Sequence, residues 1–359
     1  MNSQKLTDWN PADHNTDVNF VVGVKLPIRS MCINFMPSWW HRKHGIEFGE
    51  RYIFDPDYRV ETVRYKWAQM HKLYPELNVG DPDPSPEVIP ADFHNSLGPT
   101  AMGCEVTFPV DNYPISKHAT ESEIRKMQVP EDIENTFPYG EMIHQVKYLN
   151  RKLNKDKKPF LFKNGILNDA VLLRGDEIFI DLMEENELGR RVMDISLELG
   201  RRVLDYDASC SSMPSIMPIC NCTAQLVGPA FYERVQLEYD RLIAEFIIQK
   251  GSDYMIHHCG TFDDFIGHYK KLPRPAMVQI GHKSDPRLAL DSFPDSLIDY
   301  CFATPWLISA SAEDVSNHME KLMEETRGDW DRLSISIGDL DVNIPEEHVR
   351  VIYETLMRY

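Results

Sequence analysis

Three observations predict a single (β/α)8 barrel. Short apolar segments alternate with amphipathic helical segments through most of the chain. An alternation sustained over roughly 250 residues or more is a span that such a barrel holds as one domain. No Gly-x-Gly-x-x-Gly follows any of the apolar segments, which weighs against the dinucleotide-binding form of a doubly wound sheet. Residues 1–359 are therefore expected to form one domain, with residues 1–17 as a polar N-terminal extension.

The elements follow in order. Residues 18–24, 159–166, 253–257, 276–281, 297–302 and 333–337 are short and apolar on both faces, as buried parallel strands should be. A further strand-like run spans 215–219. Leu188, Val192, Ile195, Leu199 and Val203 recur every three or four residues and give one helix an apolar stripe. Pro229 is read as opening the next helix, which buries Phe231, Val235, Ile243, Phe246 and Ile247 and stops at Gly251. Ser311 and Asp314 form a capping-box variant ahead of Val315, Met319 and Leu322. Pro345 opens the last helix, with Val349, Ile352 and Leu356 inward. The acidic, proline-rich stretch 81–90 reads as a surface loop, and 152–158 as a basic connector.

Charge narrows the function. Lys and Arg number 38 against 56 Asp and Glu, a net −18. That balance excludes nucleic acid as the main partner, since phosphate binding needs a basic surface. No apolar run approaches the ~20 residues that span a bilayer, so no membrane role is expected. The N-terminus lacks the apolar core of a secretory signal. Seven scattered cysteines suit a reducing cytoplasm, with metal or catalytic tasks for some of them.

The tetrapeptide His257-His258-Cys259-Gly260 carries the most chemistry. Side chains alternate along a strand, so His257 and Cys259 leave its end on one side and His258 on the other. Imidazole and thiolate are ligands for a borderline-soft ion such as zinc, and Gly260 lets the chain turn away. Cys222, after the preceding strand-like run, is the first choice for a third ligand. Cys301 is the second, with Asp339 and Asp341 as oxygen alternatives. The segment Phe35-Met36-Pro37-Ser38-Trp39-Trp40-His41 is read as a loop in which Trp39 and Trp40 line a substrate pocket, face a cation or plug the barrel mouth; bordering the pocket is the expectation. Asn221 is a second candidate for substrate contact. Tyr239, Asp263 and Asp264 are candidates to position a polar substrate group. Gly103-Cys104-Glu105 and Asp111-Asn112-Tyr113 are expected at the same mouth. There is no phosphate-binding Gly-x-x-x-x-Gly-Lys-Ser/Thr and no Gly-x-Ser-x-Gly elbow.

These motifs, in this order, resemble the uroporphyrinogen decarboxylase superfamily and, within it, the corrinoid-dependent methyltransferases. The resemblance spans about residues 45–357. It rests on Gly45-Ile46-Glu47-Phe48-Gly49-Glu50 with Phe54-Asp55-Pro56, then Met102-Gly103-Cys104-Glu105-Val106 with Asp111-Asn112. It continues through Leu172-Leu173-Arg174-Gly175-Asp176-Glu177, Asn221-Cys222-Thr223, Pro229-Ala230-Phe231-Tyr232 and Glu238-Tyr239-Asp240. It ends on His257-His258-Cys259-Gly260 and Pro345-Glu346-Glu347-His348-Val349.

The resemblance implies a (β/α)8 barrel in which His257 and Cys259 bind Zn2+. It implies a partner, a corrinoid protein that carries the cobalamin, and a small methylated substrate: a methyl ether, methylamine or methyl thioether. A homodimer is the assembly considered. Two departures refine this. The paired arginines of the porphyrinogen decarboxylases are missing from Ile28-Arg29-Ser30-Met31-Cys32, which argues against porphyrinogen as substrate. The cysteine that coenzyme M methyltransferases place after the last strand is absent from Ser336-Ile337-Gly338-Asp339, so the third ligand must come from elsewhere. Transfer from a donor to the corrinoid is preferred over transfer from the corrinoid to an acceptor. A metal-free decarboxylase and a non-catalytic binding subunit are the alternatives.

Overall fold

A computed structural model describes residues 19–162 and 164–359. The N-terminal extension, residues 1–17, and Val18 lie outside the described residues.

The core is a seven-stranded sheet in the order β1-β2-β9-β8-β7-β6-β5. Its strands are β1 (Asn19–Val21), β2 (Ser30–Phe35), β5 (Ile216–Cys220), β6 (Asp253–His258), β7 (Met277–Gly281), β8 (Leu297–Phe302) and β9 (Leu333–Leu340). A two-residue pair, β3 (Val106–Thr107) and β4 (Ile115–Ser116), forms a separate hairpin. From β2 to β5 every neighbour is parallel; only β1 pairs antiparallel, along the edge of β2. Strands β7 and β8 are buried at every position, because helices and the sheet's own concave face cover both sides. Pairing of β2 with β9 brings the first and last parallel strands together, which curls the sheet.

The sequence assigned the first strand to 18–24. The parallel strand is Ser30–Phe35, and Asn19–Val21 serves only as its edge. Interior and exterior alternate in Ser30-Met31-Cys32-Ile33-Asn34-Phe35, and its polar members hid it from a search for purely apolar runs.

Of the expected strand 159–166, the described residues 159–162 and 164–166 form no strand. Their backbone finds a different partner: the fully buried Asp207 carboxylate accepts the Leu161 and Phe162 N–H groups, at 3.2 and 3.1 Å. Further on, Gly165 lies so close to β5 that a Cβ there would meet the Cys220 carbonyl oxygen at 1.9 Å. A helix, Ile166–Arg174, starts at once.

The helix expected from Pro229 begins there, because Gly228, at φ 79° and ψ 170°, breaks the helical run Ala224–Phe231 immediately before it. A π-helical turn, Tyr232–Gln236, and then a helix Leu237–Gln249 follow. Gly251 ends the series at φ 91°, as the sequence indicates. The capping box at Ser311 is present, with its Oγ accepting the Asp314 N–H and the Asp314 carboxylate accepting the Ser311 N–H. Among the described residues no helix is long and apolar enough to cross a membrane.

Candidate metal centre

Two neighbouring parallel strand ends build the site. In β6, Tyr254, Ile256 and His258 are buried toward the helices, so alternation turns His257 to the concave side. Cys259 follows on the same side. Gly260 then passes against Gln225, whose side chain a Cβ would overlap, and its carbonyl accepts the Gly281 N–H at 3.0 Å. Next door, β5 ends at Cys220, the register partner of His257. The Asn221 N–H donates to the His257 carbonyl at 2.8 Å, which extends the pairing by one residue and delivers Cys222 beside Cys259.

One ligand atom from each of Cys222, His257 and Cys259 lies within 4.8 Å of the others. All three side chains are half-buried. Two thiols and an imidazole, partly open to solvent, suit a zinc ion with one coordination position left for substrate. Without an ion, their electrostatics favour the ligating form of Cys259 alone. The Cys259 thiol is held well below the ordinary thiol range, first by the hydrogen bond from Cys222, then, against burial, by the His257 imidazole. The Cys222 proton is correspondingly hard to remove, because Cys259 accepts from it and both are shielded from water. Burial alone would lower His257, but the Cys259 thiolate, with Asp299 and Asp339, leaves it raised. The pair therefore gives up one proton easily and the second only to a strong competitor such as a dication.

Polar groups line the sheet beneath. His257, Gln279 and Asp299 are successive register partners across β6, β7 and β8. The Asp299 carboxylate accepts from Gln279 Nε2 at 2.6 Å and from Ser336 Oγ at 2.7 Å. Around the mouth, Thr223 Oγ1 donates to Asn168 at 2.6 Å, and Asn168 also hydrogen-bonds Cys222. His94 stands in the left-handed region, φ 48°, with its ring stacked on Tyr113 at 4.1 Å and 9°. It borders a cavity of about 20 Å3, room for one water, together with Asn164 and Asp169. Burial pushes the Asp169 carboxyl up to about 7, against a hydrogen bond from Asn164. Burial also raises Asp339, while His94 and His257 pull it down, so Asp339 lies within electrostatic reach of both imidazoles.

Residues 88–359 match the uroporphyrinogen decarboxylase (URO-D) family. The chain belongs to that family. Its fold is similar to that of a methyltransferase from Methanosarcina mazei, with a TM-score of 0.63 over 94% of each chain at 13% identity. No curated protein matches it in sequence.

In this URO-D family chain the other sequence-derived site residues are placed as follows. Cys301 is buried, its thiol pushed up by burial and by Asp299, and it falls outside the three-ligand cluster, as do Asp339 and Asp341. The Asp341 carboxylate instead accepts the Asn343 N–H at 2.9 Å. Trp39 and Trp40 belong to a helix, Pro37–His44, and not to a loop. They are 1% and 0% exposed, packed on Phe35, Phe20 and His44, so they present no face to a pocket. Their apolar area outweighs any gain from display at the surface. Tyr239 reaches outward, its hydroxyl donating to Asp194 on the neighbouring helix at 2.8 Å. Asp263 accepts the Asp285 N–H at 3.0 Å and ties two loops together. Asn221 is fully buried with both ends of its amide engaged, so it meets the protein interior and not a substrate. His258 points to the helix side, as alternation requires, with Nδ1 2.8 Å from the Tyr269 hydroxyl.

Sequence reading missed Asn168, His94, Asp169 and the Gln279–Asp299–Ser336 group. A usable signal existed for the last: Gln279, Asp299 and Ser336 are polar residues inside otherwise apolar strands.

Proposed function

We propose that this protein is a zinc-dependent methyltransferase. It moves a methyl group from a small methylated donor, a methyl ether, methylamine or methyl thioether, to the cobalt of a corrinoid protein. The observation that carries the reading is the convergence of Cys222, His257 and Cys259 within 4.8 Å at neighbouring strand ends. The fold likeness to a methyltransferase supports it. We also propose a complete (β/α)8 barrel in one domain, in which segments 88–93 and 159–162, which form no ladder of their own, take the two positions between β2 and β5. Active sites of such barrels lie at the carboxyl ends of the strands, where the three ligands stand.

Cys222, His257 and Cys259 would hold the zinc. Bound there, it supplies Lewis acidity that polarises the donor's heteroatom. The reaction is a displacement at carbon. The bond from methyl carbon to heteroatom breaks and the heteroatom keeps the electron pair, while the cobalt of the reduced corrinoid provides the pair for the new bond. The chain's own task is to hold the donor so that methyl faces the partner, which removes much of the entropic barrier. His94, Asn168 and Asp339 are the polar groups placed to orient it.

The test combines metal analysis with corrinoid absorbance under reducing conditions and a panel of methyl donors. Zinc near one per chain and formation of methylcobalamin are the expected results. Cys259→Ser, His257→Ala and Cys222→Ser should each lose most of the zinc and the transfer, whereas Cys301→Ser should keep both. Carbon dioxide release without metal would replace this reading with a decarboxylase. A wild-type protein that holds no metal with its thiols protected, and turns over nothing, would leave a binding subunit.

A further inference from the structure

Behind the two ligand turns lies a polar network that the metal chemistry does not itself require. Asn221, Tyr232, Gln236 and Asp240 are all 0% exposed. Asp240 Oδ2 accepts from Asn221 Nδ2 at 2.7 Å and from the Tyr232 hydroxyl at 2.8 Å. Asn221 Oδ1 accepts from Gln236 Nε2 at 2.7 Å. Tyr269 packs edge-on against Tyr232, with ring centroids 5.1 Å apart, and its hydroxyl meets His258. The network thus touches the residue before Cys222 and the residue between His257 and Cys259.

Local structure explains how it assembles. The π-helical turn Tyr232–Gln236 widens the helix after the break at Gly228. Tyr232, Gln236 and Asp240 then recur at intervals of four and face Asn221 together. π-Helical turns are uncommon and concentrate at functional sites. A buried carboxyl whose hydrogen-bond donors are all neutral is expensive to maintain, and an apolar residue of similar size would be cheaper. What Asp240 secures in return is geometry: an amide gripped at both ends leaves the Asn221–Cys222 turn one conformation.

We infer that Asp240, acting through Asn221, is the positioning residue that brings Cys222 to the metal. The inference rests on the zinc reading above. His257 lies in β6 and Cys259 directly follows its last residue, whereas Cys222 lies two residues beyond the end of β5 and has the clamp on the residue before it. The clamp fixes the third ligand of this chain, which has no cysteine after its last strand.

Cobalt(II) in place of zinc reads the thiolates directly, since its near-ultraviolet thiolate charge-transfer band grows with each sulfur bound. Wild type should show a two-thiolate band and Cys222→Ser a one-thiolate band. Asp240→Leu should reproduce the Cys222→Ser spectrum and weaken zinc in a chelator competition by about 10–100-fold. Asp240→Asn retains an acceptor oxygen and should recover most of the wild-type band. Should Asp240→Leu not fold, Asn221→Leu and Gln236→Met remove the clamp from the other side and should shift the spectrum the same way. Folded Asp240→Leu, or the two substitute variants, with a full two-thiolate band and unchanged zinc affinity would overturn the inference, even if melting temperature fell. A wild type with no thiolate band would overturn the metal reading itself, an outcome visible before any clamp variant is made.

Discussion

Asp207 shows how a single residue replaces a secondary-structure ladder. Its carboxylate takes the N–H groups of Leu161 and Phe162 and a hydroxyl from Ser212. Burial nevertheless pushes its pKa up to about 7, with those hydrogen bonds pulling the other way. An unfolded aspartate titrates near 3.9, so the native state holds the proton more tightly. The stability this contributes is fully present below about pH 4 and is lost as pH rises through about 7. Asp207→Asn keeps the neutral form at all pH values. The advantage of wild type over this variant should therefore shrink by about 2–4 kcal/mol between pH 4.5 and 7.5. Urea unfolding of both proteins at the two pH values measures it; a difference that stays constant or widens with pH would contradict the burial argument.

At the scale of elements, the helix Pro37–His44 is a structural plug. Trp39 lies 4.8 Å from Phe35 and 4.9 Å from Trp40, ring to ring, and is 1% exposed. Trp39→Ala should cost about 3–5 kcal/mol of stability, as deletion of a buried aromatic does. The same variant should keep its zinc, because none of the three ligands lies on this helix. Metal analysis beside a denaturation curve separates these two readouts; loss of zinc in the folded variant would return the tryptophans to the site. The helices of the second half were legible from their apolar stripes, as Leu188, Val192, Leu199 and Val203 show by being buried. The π-turn Tyr232–Gln236 was not, because Phe231, Val235 and Ile243 keep a helix-like spacing across it, whereas the break at Gly228 falls just before Pro229, where the sequence opens a helix.

At the scale of the whole molecule, the three proposed ligands come from two consecutive βα units, so an ion held there would tie those units together. A ligand that binds only the folded state stabilises it by about 2.7 kcal/mol at one hundred times its dissociation constant. Removing zinc with a chelator should lower the melting temperature by a few degrees, and zinc but not magnesium should restore it. Calorimetry on wild type and Cys259→Ser checks this; equal chelator shifts in the two proteins would show that the lost ion sat elsewhere.

Much of this protein was determined in its sequence alone. The α/β alternation follows from local apolar periodicity, which needs no tertiary information, and strands β7 and β8 were read within a residue of their observed bounds. The pairing of His257 with Cys259 is likewise local, since two residues apart on one strand means one side. Tertiary structure alone decided the rest. The sequence ranks Cys222 ahead of Cys301, but its arrival at the cluster depends on the register of β5 on β6, continued by the Asn221 N–H. Trp39 and Trp40 could be pocket or core until Phe20 and Phe35 closed over them. The stretch 159–166 has the composition of a strand, yet the N–H groups of Leu161 and Phe162 went to the Asp207 carboxylate far downstream. In each case the deciding partner lies far along the chain, where local propensity carries no information about it.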